Sequence, residues 1–311
     1  MGETMKNIYK VLIGVAATLL LLFVMDRAIG CVMKAGYTNA KYGIIHRQEY
    51  CLHESNEDIL IMGSSRAAHH YVPEIFTDSL GMSCYNCGSD GQCIYYTYAL
   101  LSAYIERGVV PKVVICEVVP QDIEVSSSST FNFDAAAERF APVYGEFECI
   151  DSLLESRGWK SKVKLLSQAY RYNSKLVQVI KCNFIGEAEN NGYEPLYGTS
   201  PVGVIEDDGE VAPASIEQDK VQSFKNLISL CKMNGIGLIL TYSPILNRQH
   251  FKGIAMAKAI AESENVQFID MSCDARFDDA SLFKDGTHLN DTGARLYSAA
   301  IAEMISMAQS Q

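Results

Sequence analysis

Four polar or glycine-rich segments of this chain hold the groups that acyl transfer needs. They are Gly63-Ser64-Ser65-Arg66, Asn86-Cys87-Gly88-Ser89-Asp90-Gly91, Pro120-Gln121-Asp122 and Asp285-Gly286-Thr287-His288-Leu289. Together they supply a serine hydroxyl as nucleophile, an imidazole as base, a carboxylate to orient that base, and amide N–H groups for an oxyanion. Each short motif is weak by itself, so its value depends on whether the fold brings the four together.

The sequence between these segments predicts a parallel sheet that would do so. Short apolar runs, typical of buried strands, alternate with helical segments. Strands are predicted at 59–62, 83–86, 113–119, 236–242 and 266–270, and helices at 73–80, 92–107, 215–233, 254–263 and 291–307. We therefore expect an α/β fold, a three-layer α/β/α sandwich with a five-stranded parallel sheet. Ligands bind beyond the carboxyl ends of such strands, where the four segments should converge.

The alternation is interrupted between residues 123 and 214. This interval contains a serine run, two or three helical stretches around 148–172, and Gly/Asn-rich or acidic tracts at 190–192 and 206–209. It is too long for a structureless loop inside a compact domain. We expect an insertion that packs over one edge of the sheet. A capping box formed by Ser215 and Gln218 is expected to start the helix that follows.

The N-terminal segment has the properties of a membrane anchor. Residues 8–25 are apolar except for Lys10, and a helix of this length rises about 27 Å, close to the thickness of a bilayer core. A cleaved signal peptide is the nearest alternative, and a buried core helix is a more distant one. We expect a short cytoplasmic head at 1–7, a transmembrane anchor at 8–25, a juxtamembrane linker at 26–56 and an extracytoplasmic domain at 57–311. The positive charges on the two sides of the anchor nearly balance, so they do not fix this orientation.

The composition excludes several classes of protein. The chain has 311 residues, 48% of them hydrophobic, which is enough to bury a sizeable core. Its 26 basic and 37 acidic residues give a net charge of −11, and an acidic chain without a continuous basic run argues against nucleic-acid binding. Ten cysteines could form disulfides, but Cys116 and Cys231 lie in apolar runs and are expected to be buried thiols. The cluster Cys84-x2-Cys87-x5-Cys93 lacks a second CxxC pair, so no metal or other cofactor is expected.

The order of the motifs resembles that of the SGNH (GDSL-type) hydrolases. Gly-x-Ser after the first strand matches Gly63-Ser64-Ser65, and Asp-x-x-His before the last helix matches Asp285 and His288. The resemblance covers about residues 57–122 and 215–311. It implies a flavodoxin-like SGNH fold in which Ser65, not Ser64, is the nucleophile, His288 its base and Asp285 the orienting acid.

The same resemblance implies an oxyanion hole formed by Ser65, Gly91 and Gln121. In the family a glycine follows shortly after an Asn that ends the second strand. By spacing from Asn86 that glycine is Gly91, with Gly88 as the less favoured choice. Gln121 stands where the family has an Asn, and its side chain is one methylene longer, so its amide would reach the oxyanion from a different position.

An N-terminal anchor joined to such a domain also looks like the membrane-tethered envelope proteins of the DltD, AlgX and AlgJ type. This resemblance implies a serine esterase or O-acyltransferase that acts on an acylated cell-envelope glycan, with other envelope proteins as partners. One alternative is a non-catalytic binding or scaffold component of an envelope polysaccharide assembly. Another is a lipase or thioesterase that works at the membrane surface.

Several residues near the motifs allow a structural as well as a functional interpretation. Ser65 could simply cap the helix that follows the first strand. Arg66 is a candidate substrate-binding residue for an anionic group, although an ion pair with a nearby carboxylate is favoured. His69 and His70 could ligate a metal, but they fit ordinary helix histidines better.

Overall fold

The fold was obtained as a computed structural model, which describes residues 2–173, 175–186, 190–201, 203, 211–212, 214–246, 248 and 250–309. The acidic tract at 206–209, which the sequence places in the insertion, lies outside these residues.

A five-stranded parallel sheet forms the centre of the molecule. The strands of the described residues are β1 (Ile59–Met62), β2 (Cys84–Asn86), β3 (Val113–Glu117), β4 (Val211–Ala212), β5 (Gly237–Tyr242), β6 (His250–Phe251) and β7 (Gln267–Asp270). The main sheet has the order β2-β1-β3-β5-β7, and every neighbouring pair is parallel. β4 and β6 form a separate parallel pair.

Helices cover both faces of this sheet. The α-helices of the described residues are α1 (Gly2–Thr38), α2 (Gly43–His53), α3 (Ser65–His70), α4 (Pro73–Leu80), α5 (Ile94–Glu106), α6 (Phe133–Phe140), α7 (Glu148–Glu155), α8 (Trp159–Leu165), α9 (Gln168–Arg171), α10 (Leu176–Phe184), α11 (Gln218–Met233), α12 (Lys252–Ser263) and α13 (Asp291–Gln309). The predicted three-layer sandwich with a five-stranded parallel sheet is confirmed. The five predicted strands and the helix at 73–80 are present, most of them within one or two residues of their expected bounds.

Each central strand buries side chains on both sides of the sheet. In β1, Leu60 and Met62 pack into one hydrophobic cluster, and Ile59 and Ile61 pack into the other. Successive side chains of a strand point to opposite faces, so a run of four apolar residues serves both layers. Helices α5, α11 and α12 contribute to the first cluster, and α4 and α13 to the second.

The expected linker at 26–56 is almost wholly helical. α1 continues through Thr38, and α2 follows at Gly43–His53. Met33 and Tyr37 of α1 are buried together with Ile45 of α2 and Val179 of α10. This burial holds the segment against the insertion, which is why a polar, mixed sequence forms ordered helices there instead of a flexible tether.

α1 is long and apolar enough to cross a membrane, although a signal sequence would have the same length and composition. In its most apolar window the side chains are fully exposed on the protein. A buried core helix, one of the alternatives weighed above, is therefore excluded.

The insertion packs mainly on helices. α6 and α7 lie against α5, and α9 and α10 lie against α1. Among the described residues of the insertion, a short tract reaches the edge of the sheet, where the N–H of Asn86 in β2 donates to the carbonyl of Asn191 at 2.9 Å. The expected capping box is wrong: Glu217 is the N-cap of α11, while the Ser215 carbonyl accepts the Val125 N–H at 2.8 Å.

Candidate active site

The turn between β1 and α3 presents the Ser65 side chain. Gly63 follows β1 with φ +139°, and a Cβ there would lie 2.7 Å from the Glu117 carbonyl oxygen, so the turn requires glycine. Ser64 is the N-cap of α3 and Ser65 is its first residue, and neither side chain caps the helix. The capping interpretation of Ser65 therefore does not account for its hydroxyl.

Ser65, His288 and Asp285 form a hydrogen-bonded chain. Ser65 Oγ lies 2.8 Å from His288 Nε2, and His288 Nδ1 lies 3.0 Å from each carboxylate oxygen of Asp285. A carboxylate only accepts hydrogen bonds, so Nδ1 carries the proton and Nε2 accepts from the serine hydroxyl. The structure thus brings the three predicted catalytic residues together in the order nucleophile, base and orienting acid.

The loop before α13 fixes Asp285 and His288 relative to each other. Asp285 Oδ1 accepts the backbone N–H of Thr287 at 2.9 Å and that of His288 at 3.0 Å. Partial burial disfavours the charged carboxylate, but the N–H of Thr287 and the His288 ring outweigh it, so the pKa of Asp285 is lowered. Its side chain is 51% exposed. Asp285 is therefore an ionised but partly solvated partner for the imidazole.

The amides expected to bind an oxyanion line the same cleft as Ser65. The N–H groups of Ser65 and Gly91 donate to no acceptor among the described residues. Gln121 lies in the 3₁₀ turn Pro120–Asp122, and within the described part of the chain its side-chain amide is likewise unbonded. Gly88 instead donates to Asn86 Oδ1 at 2.9 Å, and a Cβ on it would lie 2.3 Å from a backbone nitrogen of α3. Gly88 therefore serves close packing, and Gly91 is the glycine whose amide is available.

Arg66 is bound inside the protein. Its guanidinium lies 2.7 Å from Glu117 Oε1, donates to Ser243 Oγ at 3.0 Å, and stacks over the Tyr242 ring at 4.5 Å. Burial disfavours the guanidinium charge, but the Glu117 carboxylate outweighs it and raises the pKa of Arg66. The structure thus gives Arg66 the favoured ion pair in place of the predicted substrate contact.

His70 connects this ion pair to the loop that carries His288. The N–H of Leu289 donates to His70 Nε2 at 3.0 Å, so Nδ1 carries the proton and donates to Ser243 Oγ at 2.7 Å. The Ser243 hydroxyl in turn donates to Glu117 Oε1 at 2.7 Å. Burial lowers the pKa of His70 well below its usual value, which keeps the ring neutral.

We refer to Arg66, His70, Glu117 and Ser243 as the positioning cluster. Arg66 directly follows Ser65, and Leu289 directly follows His288. One buried cluster therefore holds both the turn that carries Ser65 and the loop that carries His288. This arrangement fixes the distance between nucleophile and base more tightly than either loop could by itself.

The His69 side chain contacts a backbone carbonyl and a carboxylate beside the cleft. Its Nδ1 lies 2.7 Å from the Glu194 carbonyl oxygen and its Nε2 3.3 Å from Asp90 Oδ1. Burial disfavours protonation of His69, but the bond to Asp90 outweighs it and raises the pKa of His69. One ligand atom each from His69, Asp90 and Glu194 lie within 4.8 Å of one another. However, both His69 nitrogens already face acceptors, and Arg47 lies 2.9 Å from the Glu194 carboxylate. We therefore assign these contacts to ion pairing.

The cleft beside Ser65 is mostly apolar. It has a volume of about 600 Å³, with Ser65, His288, Asp285 and Gly91 in its wall. The apolar or aromatic part of the lining consists of Val119, Pro120, Phe131, Leu196, Tyr242, Ile245 and Phe251. Polar or charged side chains complete it, namely Ser64, Arg66, His69, Asp90, Gln121, Lys284 and Thr287. A non-polar group attached to a reacting carbonyl would find a matching surface here.

Most of the positioning cluster was not predicted from the sequence. Ser243 directly follows β5, so the same inspection of strand ends that identified the four segments could have found it. The roles of His70 and Glu117 could not be found in this way. Each depends on a partner more than a hundred residues away in the sequence.

Comparisons with known proteins give only distant similarity. No family model matches the chain, and no curated protein sequence matches it. Among solved structures, it is similar to a proposed acylhydrolase from Bacteroides fragilis (15% identity over 80% of this chain and 86% of that chain, TM-score 0.38). It is also similar to a GDSL-like lipase from Bacteroides thetaiotaomicron (13% identity, 80% and 88% covered, TM-score 0.38). A proposed lipolytic protein of the G-D-S-L family from Desulfitobacterium hafniense shows 10% identity over 79% of this chain and 98% of that chain, with a TM-score of 0.37.

Proposed function

We propose that this protein is a serine esterase or acyltransferase that acts on ester bonds through Ser65, His288 and Asp285. The observation that carries the proposal is the continuous contact from Ser65 Oγ through the His288 ring to the Asp285 carboxylate. The backbone amides of Ser65 and Gly91, which have no acceptor in the part of the chain that the structure describes, line the same cleft. A nucleophile, a base and oxyanion donors are the parts that acyl transfer requires.

The geometry supports a two-step reaction. His288 Nε2 takes the Ser65 hydroxyl proton as Oγ attacks the ester carbonyl, and Asp285 stabilises the imidazolium that forms. The N–H groups of Ser65 and Gly91, with the Gln121 amide, bind the oxyanion, and each donor is worth roughly 3 kcal/mol of transition-state stabilisation. His288 then protonates the leaving alkoxide. A water or a sugar hydroxyl, deprotonated by His288, finally attacks the acyl carbonyl. The bond to Ser65 Oγ then breaks, and His288 returns the proton to that oxygen.

Labelling with a fluorophosphonate tests the proposal because the probe reacts only with an activated serine. We expect the full-length protein in detergent to be labelled, and Ser65→Ala and His288→Ala to abolish the labelling. Ser64→Ala is the matched control, since it removes the neighbouring hydroxyl and should leave labelling intact. Labelling that survives in Ser65→Ala would refute the assignment. A folded wild-type protein that is not labelled would favour the non-catalytic binding or scaffold component.

We further propose that the protein is anchored in a membrane by α1 and acts outside the cytoplasm on an acylated envelope glycan, as in the DltD, AlgX and AlgJ type. The long apolar helix supports the anchor, and the order of the site motifs along the chain supports acyl chemistry. Release of acetate from acetylated glycans by wild type but not by Ser65→Ala would support this substrate class. Transfer to an added sugar acceptor would distinguish an acyltransferase from a hydrolase.

The apolar lining of the cleft favours a second candidate, a lipase or thioesterase for longer acyl chains. Phe131, Ile245 and Phe251 offer such a chain a non-polar surface. Each buried CH₂ contributes about 0.8 kcal/mol, or about fourfold in kcat/KM. A series of p-nitrophenyl esters from acetate to octanoate measures this directly. A steady rise with chain length favours the lipase or thioesterase, and a maximum at acetate favours the acetylated glycan.

A further inference from the structure

The interval from residue 156 to 186 differs in charge from the rest of this acidic chain. It contains seven Lys or Arg residues and no Asp or Glu, in a chain with 26 basic and 37 acidic residues. It includes the three short helices α8, α9 and α10. Such a concentration of positive charge is suited to an anionic surface.

Helix α8 combines this charge with an exposed apolar face. Trp159, Val163 and Leu166 recur at helical spacing, and all three are exposed, Trp159 to 70%. Lys160 and Lys164 lie between them, and neither forms an ion pair within the described part of the chain. A monomeric soluble domain rarely leaves a tryptophan and two large aliphatic side chains exposed together.

The turn from α8 into α9 contacts α1 at the point where the apolar run of α1 stops. Asp26, which directly follows that run, accepts the Ser167 hydroxyl at 2.5 Å and the N–H of Gln168 at 2.9 Å. Arg27 donates to the Leu166 carbonyl at 2.6 Å. One helical residue rises about 1.5 Å, and the headgroup region extends about 5–7 Å beyond each side of the bilayer core. If α1 spans a membrane to residue 25, Leu166 is therefore at headgroup depth.

We propose that the α8 face (Trp159, Lys160, Val163, Lys164 and Leu166) lies in the headgroup region of the bilayer that α1 spans and binds anionic lipid. Tryptophan is enriched at this depth because its ring is apolar and its N–H is polar. The two lysines extend their apolar stems along the surface and place their ammonium groups among the lipid phosphates. The contacts of Asp26 and Arg27 tie α1 to the turn that directly follows α8, so they would set how the catalytic domain is oriented above the membrane. The inference rests on the membrane span included in the proposed function.

Trp159 is the only tryptophan in the chain, so its fluorescence tests the proposal in the full-length protein. The protein is reconstituted into phosphatidylcholine vesicles with and without phosphatidylglycerol. We expect emission shifted to the blue, strong quenching by phosphatidylcholine brominated near the headgroup, and protection from acrylamide. Lys160→Glu with Lys164→Glu should weaken the lipid quenching most in the vesicles that contain phosphatidylglycerol.

A second variant supplies the matched control. Trp159→Phe with Phe184→Trp moves the tryptophan to α10, where Phe184 is 80% exposed. α10 packs against α1 near Gly36, about 16 Å beyond residue 25 along the helix. This tryptophan should be quenched by acrylamide and not by the brominated lipid. Equal lipid quenching of the two proteins, or no lipid quenching of Trp159, would overturn the docking of α8.

Extraction with alkaline carbonate tests the span separately. Retention of the protein in the vesicles without lipid quenching of Trp159 refutes the docking and leaves the anchor standing. Release into the soluble fraction refutes both the span and the docking. Neither outcome affects the labelling of Ser65, so failure of the proposed chemistry is recognised independently.

Discussion

Replacing Glu117 with Gln tests whether the positioning cluster holds the active site together. The Glu117 side chain is fully buried, accepts the Tyr71 hydroxyl at 2.5 Å and the Ser243 N–H at 3.0 Å, and lies 2.7 Å from Arg66. Glu117→Gln keeps the shape of the side chain but leaves Arg66, which is only 5% exposed, without its counter-ion. Removing one partner of a buried ion pair costs about 3–5 kcal/mol.

Thermal unfolding of the full-length protein in detergent measures this cost. For a domain of this size 1 kcal/mol corresponds to roughly 2–4 °C, so we expect Tm to fall by roughly 6–20 °C. The rate of fluorophosphonate labelling should fall as well, because Arg66 directly follows Ser65 and the freed guanidinium no longer fixes that turn.

A double variant separates the ion pair from other roles of Arg66. Arg66→Met with Glu117→Gln removes both charges, so it should recover a large part of the stability lost in Glu117→Gln. A Glu117→Gln protein within about 0.5 kcal/mol of wild type would refute the reasoning, because that is the range of ordinary surface substitutions. Arg66→Met with an unchanged Tm and a raised KM would show that Arg66 binds substrate after all.

Three further substitutions probe the site and its surroundings. Asp285→Asn should lower kcat by about 10²–10⁴-fold with little change in KM, because the amide no longer holds the His288 tautomer. Steady-state rates of ester hydrolysis give both constants. Burial raises the pKa of Asp122 from 3.8 to about 7, so the folded protein retains a proton that the unfolded chain has lost, and stability falls as pH rises between these values. Asp122→Asn should weaken this dependence of Tm on pH. Burial of Glu49, whose pKa is also raised to about 7, contributes to the dependence that remains. Gly63→Ala should destabilise by about 1–3 kcal/mol and abolish labelling, since its Cβ would overlap a backbone carbonyl of β3. Unchanged unfolding and labelling of this variant would show that the turn tolerates a side chain.

Local patterns account for the parts of the fold that were predicted well. Ile59–Met62 and the neighbouring strand Val113–Glu117 could be recognised because burial on both faces leaves four apolar residues in succession. Both ends of α4 could be predicted to the residue, because Pro73 begins the helix and Gly81 ends it in the left-handed conformation. Such signals depend on a few neighbouring residues, so they can be recognised in the sequence without knowing how the rest of the chain folds.

Predictions failed where a neighbouring segment competes for the same groups. Ser215 has the residue type and spacing of an N-cap, but its carbonyl is bonded to Val125 and the helix begins after Glu217. The polar, mixed sequence of residues 26–56 also gave no sign that Tyr37 and Ile45 are buried against the insertion. The partner in each case lies far along the sequence, where periodicity gives no information.

The sequence by itself determined that Ser65, His288 and Asp285 lie at one edge of a parallel sheet. The reason is that the positions of the motifs relative to the strands and helices can be recognised along the chain. Only the tertiary structure decided that Arg66 pairs with Glu117 and that the amide of Gly91, not that of Gly88, is available. It alone also decided that Asp26 and Arg27 contact the turn that follows the α8 face. Those outcomes depend on which distant groups satisfy each buried charge or hydrogen-bond donor. Spacing indicates that a group will be buried, but only packing selects its partner.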